Sequence, residues 1–277
     1  MFVREDGRTN MEIVEPKIAV VKSMVRKMRG ACQAHLIETE GSGRFVVKFA
    51  NNPHGARVLI NEGLAACLLR YVGVSSPDWA VVSLDLDTIN RESNLFVQRS
   101  AVERSQPSTG LHFGSRYVGD LTSAPVYDFL PAKVLRSVSN LSEATAMLAF
   151  DLWMETVEPR QCVFARKTDR NNKTLPEFRA YWIDNSHVLG GTVGTLGGSR
   201  CTAPCRFHML HDRKDVWKEF EPWIEKIREV PANVLHEALK HIPLEWVDDY
   251  PALMELLDRL WSRRTQVARL LEEAIRT

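Results

Sequence analysis

The strongest constraint in this sequence is the order of its patterns: β-branched and aromatic runs fill the first hundred residues, and helical periodicity takes over from about Lys214. Ile18-Ala19-Val20-Val21, Ala34 to Thr39, and Arg44-Phe45-Val46-Val47-Lys48-Phe49 read as three strands. The turn Glu40-Gly41-Ser42-Gly43 joins the last two, so the set predicts an antiparallel meander. Asn51-Asn52-Pro53 ends the third strand. A helix follows from about Arg57 to Tyr71, because Val58, Leu59, Leu64, Ala65, Leu68 and Leu69 recur at helical spacing and Gly73 stops it. Trp79–Leu84 and Asn94–Val97 read as further strands, and the Ser-, Gly- and Thr-rich stretch from Ser105 to Ala124 as loop.

In the second half, Asn140-Leu141-Ser142-Glu143 resembles a capping box opening an apolar helix through Trp153. Strands at Cys162–Ala165 and Phe178–Ile183 flank a polar turn from Asp169 to Thr174, and a Gly-rich loop from Gly190 to Gly198 comes after Asp184. Three helical segments complete the chain, near Val216–Glu229, Asn233–Leu239 and Ala252–Ile275. No internal repeat is present.

Composition narrows the function classes. Hydrophobic residues are 44% and charged residues 26% of 277, which excludes a disordered, coiled-coil or collagen-like chain. With 36 Lys+Arg against 35 Asp+Glu the net charge is +1, which argues against broad, sequence-independent nucleic-acid binding. No apolar stretch is long enough to span a bilayer, and the first residues lack the apolar core of a signal peptide. The five cysteines are scattered and odd in number, so a reducing cytoplasm is the expected home, with neither membrane nor nucleic acid as partner.

Chemistry-bearing residues are few. The Gly-rich stretch after Asp184 has neither G-x-G-x-x-G nor G-x-x-x-x-G-K-[ST] spacing, so a Rossmann or Walker site is not indicated. Lys48 is more informative. It lies in an apolar strand where a charge is costly without a partner, and Glu62 on the following helix is a candidate partner. Strand lysine plus helix glutamate is the pair with which protein kinases hold ATP phosphates. The alternative is an edge-strand lysine facing water. Glu158 and Asp184 flank the second strand pair; one could orient a hydroxyl nucleophile and the other hold Mg²⁺, or they are a solvated acid and a loop cap. Cys201, Cys205, His208 and His211 are a second cluster, either metal ligands with short histidine spacing or an ordinary loop.

Taken in order, several segments resemble the HipA-like kinases, in particular their stand-alone kinase-domain branch. They include Val25-Arg26-Lys27-Met28-Arg29-Gly30-Ala31-Cys32-Gln33-Ala34-His35-Leu36, Val46-Val47-Lys48-Phe49-Ala50-Asn51-Asn52-Pro53 and Arg57-Val58-Leu59-Ile60-Asn61-Glu62. Gly110-Leu111-His112-Phe113-Gly114-Ser115-Arg116-Tyr117, Tyr127-Asp128-Phe129-Leu130-Pro131, Ala149-Phe150-Asp151-Leu152-Trp153, Arg160-Gln161-Cys162-Val163-Phe164, Ile183-Asp184 and Phe220-Glu221-Pro222-Trp223 follow. The likeness runs from about residue 18 to 230.

The resemblance implies an α+β, two-lobed protein-kinase-like fold with a flexible segment 1–15, a β-rich nucleotide-binding lobe 16–100 and a mainly helical catalytic lobe 101–277. It implies ATP and Mg²⁺ as cofactors and a protein Ser or Thr as acceptor, with a protein substrate or partner. By position, Lys48 would bind the α/β-phosphates with Glu62 orienting it. Arg29, Gly30, Gln33 and His35 would belong to the turn over the phosphates, and Phe96 and Gln98 to the hinge that hydrogen-bonds adenine. Asp184 would be the metal ligand, and Glu158, Arg160 and Gln161 the catalytic loop.

The chain departs from the family pattern Trp-x-x-Asn-x-Asp-Gly-Arg-Gln at three places, with Thr156 for Asn, Glu158 for the catalytic Asp and Pro159 for Gly. Glutamate moves the carboxylate by roughly 1 Å, a displacement that can cost on the order of 100-fold in rate. Val163 stands where many kinases place a second, amide metal ligand, so Gln161 is the nearest substitute. Ala31 and Cys32 replace the Gly and Ser expected in the phosphate turn. A pseudokinase that binds nucleotide or a partner without efficient transfer is the alternative.

Overall fold

A computed structural model of the chain describes residues 13–122, 125–166, 177–191 and 216–276. The Cys201/Cys205/His208/His211 cluster, the Asp169–Thr174 turn and most of the Gly190–Gly198 loop lie outside them, as does most of the N-terminal segment.

The first half builds β1 (Lys17–Lys27), β2 (His35–Thr39), β3 (Gly43–Lys48), α1 (Arg57–Val72), β4 (Trp79–Leu84), α2 (Leu86–Arg91), β5 (Val97–Gln98), β6 (Arg104–Ser105) and β7 (Gly110–Arg116). Instead of the expected meander, five strands close a barrel in the order β1-β2-β3-β7-β4. Two features make closure possible. β1 is long and carries register shifts between Val21 and Ser23 and between Met24 and Arg26. Such bulges bend and twist a strand, so its first part runs parallel to β4 while the rest pairs with β2. β7 is the other feature, inserted antiparallel between β3 and β4. Alternating residues Val21, Ile37, Phe45, Val47, Ala80 and Val82 fill the interior.

β7 lies where a loop was expected, because its Gly and Ser content hides the strand pattern. Gly114 has a packing reason: a Cβ there would fall 2.5 Å from Val82 Cγ2 and 3.3 Å from Phe45 Cβ. Val82 is β-branched and cannot swing away cheaply. Gly114→Ala should therefore destabilise by about 1–3 kcal/mol, read as a lowered urea midpoint with unchanged slope. A midpoint equal to wild type would show that the barrel relaxes freely. β7 also carries the barrel to Arg116, past the boundary expected near residue 100. The strand expected at Asn94–Val97 reduces to β5, which pairs only with β6, outside the barrel.

The second half contains β8 (Val126–Tyr127), α3 (Ala132–Leu135), α4 (Glu143–Trp153), β9 (Gln161–Arg166), β10 (Phe178–Ile183), α5 (Val216–Arg228), α6 (Ala232–Lys240), α7 (Tyr250–Arg263) and α8 (Val267–Arg276). β8, β9 and β10 form a small antiparallel sheet. α4 starts as expected but not by a capping box. Asn140, the cap position of that box, accepts from Ala180 N with its Oδ1 (2.8 Å), and the Glu143 carboxylate accepts from Ser75 N (2.7 Å) and Oγ (2.9 Å) instead. The single helix expected over Ala252–Ile275 is broken by a 3₁₀ turn at Arg264–Gln266. There the Thr265 hydroxyl donates to the Ser262 carbonyl (3.0 Å), a local bond that competes with the helical ladder.

One large core joins α1 to the helices of the second half, with α4 buried on nearly every face. No helix among the described residues is long and apolar enough to cross a membrane.

Candidate nucleotide and phosphoryl-transfer site

The strand period of two places Lys48. Phe45, Val47 and Phe49 turn into the barrel, so Lys48 turns out toward α1. There it is only 7% exposed and meets three partners: Glu62 Oε1 at 2.5 Å, Asp184 Oδ1 at 2.7 Å and Ser186 Oγ at 2.7 Å. Burial by itself would push the ammonium's pKa down, but Glu62 and then Asp184 outweigh it and hold it above the ordinary lysine value. Burial would raise the Asp184 carboxyl, and the charge of Lys48 more than offsets this, leaving it well below the usual carboxylate range. Lys48 and Asp184 are therefore both charged at neutral pH.

Asp184 ends β10 in the left-handed region, at φ 59°. That conformation costs a non-glycine residue about 1–2 kcal/mol and Asp tolerates it better than most. It returns Asn185 and Ser186 to the same charge cluster. Asn185 donates to Glu62 from its backbone N (2.9 Å) and its Nδ2 (3.0 Å), and Ser186 Oγ lies 2.8 Å from Asp184 Oδ1. Asn61, beside Glu62, donates to the Ser186 and Val188 carbonyls at 2.8 and 3.0 Å. Asn61, Asn185 and Ser186 were missed by sequence reasoning; the polar pair directly after an apolar strand was the available signal.

The loop from α4 to β9 is brought alongside. Gln161 Nε2 donates to Asp184 Oδ2 at 3.0 Å. Arg160 turns inward. It is buried against Asp151, bonding it through Nε at 3.0 Å, and also reaches the Asp184 carbonyl (3.3 Å) and Asn185 Oδ1. It is a fastener between this loop and the Asp184 turn. Thr156 donates to Asp151 Oδ1 at 2.8 Å, so it helps hold the loop where the family pattern has Asn. Glu155, at φ 50°, is anchored to α7 by Arg259 (3.3 Å) and Arg263 (3.2 Å). Glu158 is the outlier: its side chain is 62% exposed, with His187 Nε2 as a neighbour at 3.4 Å.

The turn between β1 and β2 supplies the roof. Arg29 and Gly30 are exposed, and Gly30 has φ 121°. Cys32 is buried, with its thiol donating to Ser186 Oγ at 3.3 Å. Gln33 is left-handed at φ 51°, a strain of about 1–2 kcal/mol. Three side-chain hydrogen bonds, at about 1 kcal/mol each, offset it: from Lys27 Nζ, from Gln98 N, and to the Gln98 carbonyl.

One expectation is corrected here. His35 is not at the phosphate turn surface. It is fully buried, packed against Phe49 with ring centroids 5.1 Å apart, because the strand period turns it into the barrel end. Burial first, and Lys27 second, push its pKa down to about 4. Phe96 and Gln98, expected at a hinge, have their groups engaged within the chain. The backbone N–H and C=O of Gln98 are both taken by Gln33, and the ring of Phe96 is covered by Lys27 and Arg104. The segment leading from the barrel into the second half leaves β7 at Tyr117, whose N–H donates to the Arg44 carbonyl at 2.9 Å.

The site suits a divalent metal with nucleotide phosphates. Mg²⁺ prefers one or two carboxylates completed by water and phosphate oxygens over an all-protein cage. Asp184, with 28% of its side chain exposed and Gln161 bonded to it, fits that donor set. No group of three or more His, Cys, Asp or Glu suited to a metal occurs among the described residues.

No family model matches the sequence, and no curated protein matches it. Solved structures do. The chain is similar to hydra Fam20 determined with sugar, with a TM-score of 0.54 at 12% identity over 93% of this chain and 86% of that one. It is also similar to the Golgi casein kinase, at TM-score 0.49 and 11% identity over 95% and 75%. For the Golgi casein kinase with Mn/ADP bound the values are 0.47 and 11% over 94% and 74%. The last two scores are too low to add weight. The likeness to hydra Fam20 spans most of both chains and shows a kinase-like fold of mixed strands and helices.

Proposed function

We propose that the chain is a HipA-like kinase domain that transfers a phosphoryl group from Mg²⁺-ATP to a Ser or Thr hydroxyl of a protein. The observation that carries this reading is the buried ammonium of Lys48 shared between Glu62 and Asp184, three residues drawn from a barrel strand, a helix and a strand end. Lys48 would bind phosphate oxygens, Glu62 would keep it oriented, and Asp184 with Gln161 would hold the metal. The metal supplies neutralisation of the charge on the transferring phosphoryl group. Glu158 would orient the acceptor hydroxyl at the open edge of the site, and Arg160 would fix the loop that presents it.

A second reading, nucleotide binding without efficient transfer, is favoured by Glu158 alone. Its carboxylate is largely in water and next to His187 instead of being held over Asp184.

Calorimetric titration of Mg²⁺-ATP into wild type and Asp184→Asn tests the site, followed by transfer of labelled phosphate to a protein mixture. Micromolar binding weakened at least about tenfold in the variant supports it, since one lost charge-assisted contact is worth about 1.5–3 kcal/mol. Binding with no transfer, unchanged by Glu158→Asp, would move the conclusion to the second reading. No binding to folded wild type would sink both.

A further inference from the structure

We propose that the β5–β6 hairpin is a strap that positions the phosphate turn, with Gln33 as the positioning residue. This rests on the reading above, in which residues 29–33 lie over nucleotide phosphates. The contacts themselves do not depend on it.

The Gln33 amide does for Gln98 what a neighbouring strand would do. Its Oε1 accepts from the Gln98 N–H at 2.7 Å, and its Nε2 donates to the Gln98 carbonyl at 2.7 Å. The same Oε1 accepts from Lys27 Nζ at 2.8 Å. Lys27 in turn lies 4.6 Å from the centroid of the Phe96 ring, which the guanidinium of Arg104 covers at 4.2 Å. Both ends of the turn are thus fastened to one hairpin, by hydrogen bonds and by cation–π contacts.

The hairpin has a second anchor. Arg99 donates to the Asn51 carbonyl at 2.9 Å, and Asn51 Nδ2 donates to the Gln106 carbonyl at 3.0 Å. Asn51 lies just past Lys48 on the segment leaving β3. The strap therefore ties the turn before β2 to the exit of β3, the strand that carries Lys48. On the inner side, Cys32 pins the same turn to Ser186.

The physical purpose follows from composition. A glycine-rich phosphate loop can mould itself to its ligand, whereas Ala31 and Cys32 make this one stiffer. A stiff loop binds well only if it is held in the binding geometry beforehand. The left-handed Gln33, which no isolated turn would favour, is held by the hairpin in the shape the site uses.

The test compares wild type, Gln33→Ala and Phe96→Leu, the second loosening the strap from the hairpin side. Amide hydrogen exchange, which needs no nucleotide, should quicken about tenfold at residues 29–34 and at Gln98 in both variants. Exchange in β3 and β4 should quicken less than at the turn, and the melting temperature should fall by no more than a few degrees. With ligand, ATP affinity should fall about tenfold while adenosine, which has no phosphates, binds as before. Unchanged exchange at 29–34 in both variants overturns the proposal, and so does an equal loss for ATP and adenosine, the mark of a merely structural role. If wild type binds neither ligand, the nucleotide reading fails and the exchange result alone decides whether the strap exists.

Discussion

Lys48→Ala is expected to destabilise the folded protein by about 3 kcal/mol or more, the range for breaking a buried ion pair by removing one partner. The side chains of Lys48 and Glu62 are 9% and 3% exposed, so neither is rescued by water. Removing the ammonium leaves the Glu62 and Asp184 carboxylates facing each other across its former place. Glu62 keeps its bonds from Asn185, which sets the cost toward the lower end of the range. The partner experiment is Glu62→Gln in the Lys48→Ala background, which removes the stranded charge and should recover part of the loss. Urea unfolding at pH 7 gives both numbers. A loss under about 1 kcal/mol for Lys48→Ala would place the pair in the class of solvated surface bridges and refute its burial.

The second large effect is acid lability above the range of carboxylate titration. His35 and His112 are both fully buried and both pack against Phe49, each with ring centroids 5.1 Å from it. Burial pushes both imidazoles from 6.5 down to about 4, helped at His35 by Lys27. His112 must be neutral to do its work: its Nδ1 accepts from the Ala50 N–H at 3.1 Å while Nε2 bonds the Ser108 carbonyl at 3.0 Å. Because these folded pKa values lie below the unfolded value, the unfolded chain binds more protons between about pH 6.5 and 4. Stability is therefore present above that window and declines as pH falls through it. Linkage gives roughly 2 kcal/mol per histidine between pH 7 and pH 5, about 4 kcal/mol together. Asp184, held low by Lys48, adds its own loss only at still lower pH. Denaturant midpoints at pH 7 and pH 5 measure the slope, and His112→Gln should remove about half of it. A stability unchanged between the two pH values would mean that both rings reach water.

The same residues show how far sequence reasoning reaches. β2, β3 and α1 were legible because alternation and helical spacing are local properties, written in neighbouring side chains. So was the suspicion that Lys48 needs a partner, since an ammonium amid Val46, Val47 and Phe49 is costly anywhere. Glu62 follows from the same local logic, one strand and one helix along. Glu143 shows where that logic failed: in sequence it completes a capping box, but its carboxylate goes to Ser75, on a distant segment.

What the sequence determined by itself is the order of strands and helices and the short set of charged residues that could not be buried alone, because both depend only on near neighbours. Tertiary structure alone decided the rest. Closure of the barrel needed the bulges of β1 and the tolerance for Gly114 beside Val82, and both are matters of packing between segments far apart in the chain. The placement of Phe96 and Gln98 on a strap, of Arg160 as a fastener and of His35 in the core turned on long-range contacts of the same kind. A hydrogen bond such as that between Gln33 and Gln98 spans 65 positions, and no local pattern records which partner a buried polar group will find once the chain has closed on itself.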